Sequence, residues 1–112
     1  MAEWRVEAFR LDTEEVPAQS FLDSLEGEPR AQALALLTAL RQQGNALRKP
    51  HSRALGDGLF ELRGFQVRLF YVFRGERTAV LLDGMIKKRD SIPDDVMKRL
   101  RTMQRALQRR NL

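Results

Sequence analysis

Between Gly58 and Ile86 three runs, GLFELRG, FQVRLFYVFR and RTAVLLDGMI, follow one another, broken only at Gly64 and at Gly75-Glu76. Val, Leu, Phe and Tyr dominate all three, the residue types that suit a pleated, half-buried surface. Connections this short cannot carry a crossover, so the runs must be antiparallel neighbours. In the middle run Phe65, Val67, Leu69, Tyr71 and Phe73 fall on one face, and Gln66, Arg68, Phe70, Val72 and Arg74 on the other. Apolar bulk on both faces predicts a central strand covered at least partly on each side.

The flanking segments supply the cover. Trp4, Val6, Ala8 and Leu11 alternate with charged residues closely enough to predict an opening strand. Pro17 suits the first turn of a short helix whose apolar residues are Phe21, Leu22 and Leu25 and which stops at Gly27. From Glu28 to Gln43, Ala33, Leu36, Leu37 and Leu40 recur at helical spacing, with Pro29 near the start and Gly44 at the end. The stretch NALRKPHSRALGDG holds Pro50, Gly56 and Gly58 without a sustained period and reads as a basic loop leading into the sheet. After Pro93, Val96, Leu100, Met103 and Leu107 form one apolar stripe on a closing helix, with Asp94 and Asp95 in its first turn and Arg109 and Arg110 in its last. The expectation is one α+β domain over residues 1–112: an antiparallel sheet, two N-terminal helices packed on it and a basic C-terminal helix.

Charge is segregated along the 112 residues. Residues 1–28 hold eight acids against Arg5 and Arg10, a balance of −6, whereas residues 29–112 hold seven acids against 18 Lys or Arg, a balance of +11. Clustered cations displace counterions from phosphates, so the later part of the chain suits either a polyanion or simply a well-solvated basic surface. The absence of cysteine excludes disulfides, a thiol nucleophile and Cys-ligated metal. The opening MAEWRVEAFR lacks the basic start and apolar core of a signal peptide, and no run approaches the roughly 18 apolar residues of a membrane span. A cytoplasmic protein with no membrane partner is expected.

Three motifs in the second half carry a family resemblance. LGDGLFELRG, VRLFYVFRG and VLLDGMIKKRDSIPDDVMKRLRTM, spanning about residues 55–105, together resemble the phage-derived HigB-like branch of the RelE/ParE toxin superfamily. That branch shows a glycine-led strand ending in Glu-Leu-Arg, an Arg-rich aromatic strand, and an apolar strand running into paired lysines and a Pro-initiated helix. The resemblance implies a RelE-like fold and the toxin of a type II toxin–antitoxin pair, a messenger-RNA endoribonuclease acting on ribosome-bound message. It also implies a helix-turn-helix antitoxin as partner and a reaction without a cofactor. With one histidine, no cysteine and no tight acidic cluster, the chain offers no metal site, but RNA can be cut without one. Its own 2′-hydroxyl attacks the phosphate if a base takes the proton, cations hold the phosphorane charge and an acid serves the leaving oxygen.

Arg63 and Arg68 match family positions and are the candidates for gripping the scissile phosphate, since a planar guanidinium holds two phosphate oxygens at once. Each is equally a candidate for an ordinary cross-strand ion pair, with Glu61 or Asp83. Lys87 and Lys88 fit the family's basic pair, placed to stabilise charge or pass a proton, with Arg89 sharing the electrostatic part; the alternative is a solvated strand end. His51 has the one side chain whose ordinary titration suits proton transfer near neutrality, and it is also what a plain surface histidine looks like. Lys49 and Arg53 are assigned to RNA-backbone binding, as are Lys98, Arg99 and Arg101 on the closing helix, whose basic face needs no more than solvent.

One feature departs from the family. RelE-like enzymes often carry a tyrosine or another acid–base residue near the C-terminal end, whereas the only tyrosine here, Tyr71, falls inside a strand on its more apolar face and reads as core. The general acid is therefore unassigned. Two other functions fit the same pattern: a ParE-like inhibitor of DNA gyrase, and a non-catalytic nucleic-acid-binding regulator.

Overall fold

The computed structural model describes residues 3–110. Its elements in order are β1 (Arg5–Ala8), α1 (Pro17–Asp23), α2 (Gly27–Gln43), a 3-10 turn (Gly44–Ala46), β2 (Ser52–Gly56), β3 (Leu59–Arg63), β4 (Val67–Phe73), β5 (Thr78–Ile86) and α3 (Asp94–Arg110). The five strands form one sheet in the order β1-β5-β4-β3-β2, so the α+β class holds and β4 is the central strand.

β2 through β5 pair antiparallel, as the short connections require. β1 differs: it lies parallel to β5, from Arg5 opposite Thr78 to Ala8 opposite Leu81, so the sheet is mixed at that edge. A parallel neighbour needs a long connection, and α1, α2 and the strands after them provide it. β1 is also shorter than the alternation from Trp4 to Leu11 suggests, spanning only Arg5–Ala8, while Phe9 packs in the core on the opposite face from Val6.

β2 lies in what reads as a loop. Its five residues SRALG bury only Ser52, and its pairing slips between Ala54 and Gly56, so no apolar period marks it. It exists because β3 offers an open edge to pair with.

Both faces of the sheet are covered. On one, Ala33, Leu36, Leu37 and Leu40 of α2, with Ala18 of α1, pack against Leu62, Val67, Leu69, Tyr71 and Leu81. On the other, Leu100, Met103 and Leu107 of α3 pack with Phe9 against Leu59, Phe70, Val72, Val80 and Leu82. Each large apolar side chain so buried contributes about 1.5–3 kcal/mol relative to exposure. Among the described residues, no helix is long and apolar enough to cross a membrane.

The tip of the β3–β4 hairpin departs from the strand pattern. Pairing stops at Arg63 opposite Arg68, and the Gly64 N–H donates to the Val67 carbonyl at 2.9 Å to close a two-residue turn. Phe65 and Gln66 therefore sit in the turn, and Phe65 is 86% exposed instead of extending the apolar face of β4.

α2 ends where the sequence says, at Gly44, for two physical reasons. Its φ is +52°, and a Cβ there would lie 2.0 Å from Cε2 of the Trp4 indole. Gly44→Ala should cost about 2–3 kcal/mol through left-handed strain and overpacking, read by urea unfolding. An unchanged unfolding midpoint would mean that Trp4 swings away without loss.

Candidate functional site

Antiparallel pairing puts the C-terminal ends of β3 and β5 and the N-terminal ends of β2 and β4 at one edge of the sheet. Ser52 stands opposite Leu62, Arg63 opposite Arg68, and Val67 opposite Ile86. His51, Arg63, Arg68, Lys87 and Lys88, scattered over 38 residues, are thereby gathered at the same end.

A cleft of about 630 Å³ opens there, between α2 and the β3–β4 turn. His51, Arg63 and Arg68 line it together with Gly64 and Phe65, while Ala35, Leu36 and Ala39 form its apolar wall. The Arg63 N–H donates to the His51 carbonyl at 2.9 Å, which fixes the backbone of the exposed histidine beside the arginine.

Beneath the arginines lies Glu61, only 2% exposed, with Arg53 at 3.1 Å, Arg63 at 3.5 Å and Arg68 at 3.6 Å. β-Pleating explains the cluster: Arg53 and Phe70 are the cross-strand neighbours of Glu61, and Arg63 and Arg68 stand one pleat further along the same face. One carboxylate among three guanidinium groups leaves an excess of positive charge at the cleft. These are ion-pair contacts and not aligned hydrogen bonds: Glu61 Oε1 and the Nε atoms of Arg53 and Arg63 are buried without a hydrogen-bond partner.

The two arginines divide the work. Arg68 is 6% exposed, and its Nη1 donates to the carbonyls of Gly64 and Val67, so the side chain braces the hairpin end. Burial, more than any other cause, pulls its pKa below the ordinary arginine value, opposed by Glu61. Arg63, with 31% of its side chain exposed, is the less buried of the two: it lines the cleft at the end of β3 and pairs with Glu61, whose place in the pleat is on the α3 side of the sheet. The cross-strand ion pair with Glu61 forms, and about a third of the Arg63 side chain still faces solvent.

Lys87 leaves β5 beside the same turn. Its N–H donates to the Gln66 carbonyl at 2.7 Å, and its Nζ lies 3.3 Å from Asp90. Asp90 also acts electrostatically on Arg68, the smallest of the influences on that guanidinium. Lys88 and Arg89 are exposed in that turn, and neither they nor Lys87 line the cleft itself. Lys49 is exposed at the approach to His51, and Arg53 is held on Glu61.

The α3 candidates separate. Lys98 is exposed, but Arg99 pairs with the buried carboxylate of Asp83 on β5. Arg101 donates to the Leu55 and Gly56 carbonyls, each at 3.0 Å, and to Gln104. Those carbonyls lie at the C-terminal end of β2, at the far end of the sheet from the cleft, so Arg101 fastens α3 there. Tyr71 is core, as its place in the strand indicates: 1% exposed, with its hydroxyl 2.6 Å from that of Ser52 and its pKa raised mainly by burial. Among the described residues no group of three His, Asp or Glu is placed to hold a metal ion.

The family model described as phage-derived protein Gp49-like matches residues 20–109, which include the cleft and all three motifs. No curated protein matches the chain. Among solved structures, a chain of the toxin–antitoxin complex RelBE2 from Mycobacterium tuberculosis is similar, at 24% identity and a TM-score of 0.46, over 80% of this chain and 97% of that one.

Proposed function

Since the chain belongs to the phage-derived Gp49-like family, whose matched segment carries the toxin-like motifs, we propose that it is the toxin of a toxin–antitoxin pair and cuts messenger RNA without a metal. The observation that supports this best is the cleft, lined by a partly exposed arginine and an exposed histidine at the end of the sheet that holds the cluster of three arginines around Glu61.

In this reading the cleft takes the phosphodiester between two nucleotides. Arg63 binds the phosphate and stabilises the charge of the phosphorane, where one oriented donor contributes most. The 2′-oxygen forms a bond to phosphorus, the bond from phosphorus to the 5′-oxygen breaks, and one proton leaves the 2′-hydroxyl while another reaches the 5′-oxygen. His51 is the side chain at the cleft suited to one of these transfers. Lys87, Lys88 and Arg89 guide the strand on either side of the scissile bond, and Lys49 guides it past His51. A helix-turn-helix antitoxin holds the protein silent, and the ribosome presents the message.

Expression without an antitoxin should arrest growth, and mapping of message 5′ ends should show new ends within minutes. The products should carry a 2′,3′-cyclic phosphate or the 3′-phosphate from its hydrolysis, and purified protein should cut in the presence of a chelator wherever any ribosomes used stay assembled. A 3′-hydroxyl product that requires metal contradicts the mechanism, and intact messages with gyrase-linked DNA breaks contradict the substrate.

A further inference from the structure

Phe65 stands apart from the other aromatic residues. Phe9, Phe70 and Tyr71 are almost wholly buried, and Trp4, Phe21, Phe60 and Phe73 are partly buried, whereas Phe65 is 86% exposed on the wall of the cleft. A single exposed apolar residue needs no explanation by itself. The construction beneath this one does call for an explanation.

The two-residue turn that carries Phe65 is held from three directions. From α2, Gln32 Oε1 accepts the Gln66 N–H at 2.8 Å and Gln32 Nε2 donates to Gln66 Oε1 at 3.2 Å. From β5, the Lys87 N–H donates to the Gln66 carbonyl at 2.7 Å. From within the hairpin, Arg68 donates to the Gly64 carbonyl. A hairpin tip normally belongs to the least constrained part of a fold, because its backbone groups bond to water. Here the backbone on both sides of Phe65 is fixed, and the ring it carries is left uncovered on the wall of the cleft that Arg63 also lines.

A rigidly presented aromatic ring beside phosphate-binding cations is the combination that single-stranded nucleic acid requires: cations hold the backbone while an unstacked base lies on the ring. A protein partner would also cover an exposed ring, but the surrounding charge, Arg63, Arg68 and the Lys87–Arg89 run, favours a polyanion. The geometry points to Phe65 as a base-stacking platform that seats a nucleotide adjoining the phosphate on Arg63, making it a determinant of substrate position. This inference rests on the reading of the protein as an RNA-cutting toxin and adds the element that engages the base.

The test is binding to a 2′-O-methyl RNA strand of about twelve nucleotides, which lacks the attacking hydroxyl, against a strand with the same phosphates and no bases. Stacking of one base is commonly worth about 10-fold in affinity. The wild type should prefer the base-bearing strand by about that factor. Phe65→Ala should lose the preference while binding the abasic strand as before and melting normally; Phe65→Leu should keep little of it. Phe65→Trp should retain it, with indole emission quenched by the base-bearing strand alone. A Phe65→Ala protein that keeps the preference, or a Phe65→Leu protein equal to the wild type, overturns the stacking role and leaves RNA binding standing. A wild type that binds neither strand, on or off the ribosome, removes the RNA reading and this role with it.

Discussion

Glu61→Gln should lower the melting temperature by roughly 12–20 °C. The substitution keeps the shape of the side chain and removes its charge, leaving Arg53, Arg63 and Arg68 facing one another around a site that is 2% exposed. Arg53 and Arg63 can lean toward water, but Arg68 is 6% exposed and tied to the hairpin carbonyls, so its charge has nowhere to go. Breaking a buried pair by removing one partner costs about 3–5 kcal/mol. Against a total stability of about 5–15 kcal/mol that is a large share, and for a domain of this size each kcal/mol is worth about 4 °C. The burial-lowered pKa of Arg68 agrees in direction, since the same desolvation acts whether or not Glu61 is there to offset it. Removing both charges should cost much less than removing one, so the double variant Glu61→Gln with Arg68→Met should melt well above Glu61→Gln alone. A single variant that melts within about 3 °C of the parent would mean that water or relaxation already screens the cluster.

Glu61 also marks where sequence reasoning stops. The Glu-Leu-Arg motif names Glu61 and Arg63 as alternating residues on one face of a strand, and pleating alone brings them together. That Arg68 lies opposite Arg63 follows once Gly64 closes a two-residue turn. The third arginine is not legible, because it needs β2, a strand whose residues carry no apolar period and which forms only against the open edge of β3. The same limit applies to the cleft: helical spacing marks the face of α2 that packs inward, but nothing in it says that Gln32 reaches the β3–β4 turn. Phe65 shows the converse. Its place in the alternation with Val67 and Leu69 assigns it to a buried face, and the turn overrides the period by starting β4 two residues later than the pattern begins. On α3 the apolar stripe reads true, yet the basic residues look alike in sequence. Only the neighbours decide that Arg99 meets Asp83 and Arg101 meets the end of β2 while Lys98 meets water.

If the protein is the proposed RNA-cutting toxin, Arg63→Ala should leave it folded and remove toxicity. Its side chain is 31% exposed, and Glu61 keeps Arg53 and Arg68 when Arg63 is gone, so no buried carboxylate is stranded. The stability change should stay near 1 kcal/mol, the upper end for a solvent-facing ion pair. The rate is a different quantity. A donor aimed at the charge that develops on the phosphorane typically contributes about 100- to 1,000-fold, and cleavage should fall by that factor while binding of uncleavable RNA weakens far less. Arg63→Lys should recover only part of the rate, because an ammonium keeps the charge but cannot hold two phosphate oxygens in one plane. Arg68→Ala makes the informative contrast: its side chain braces the hairpin and pairs with Glu61 in the interior, so it should lose stability and activity together. Message cleavage and thermal melting measured on the three variants under one expression control separate the roles. If Arg63→Ala melts normally and cuts at the parental rate, Arg63 serves only to neutralise Glu61, and the phosphate must be held by the Lys87–Arg89 turn.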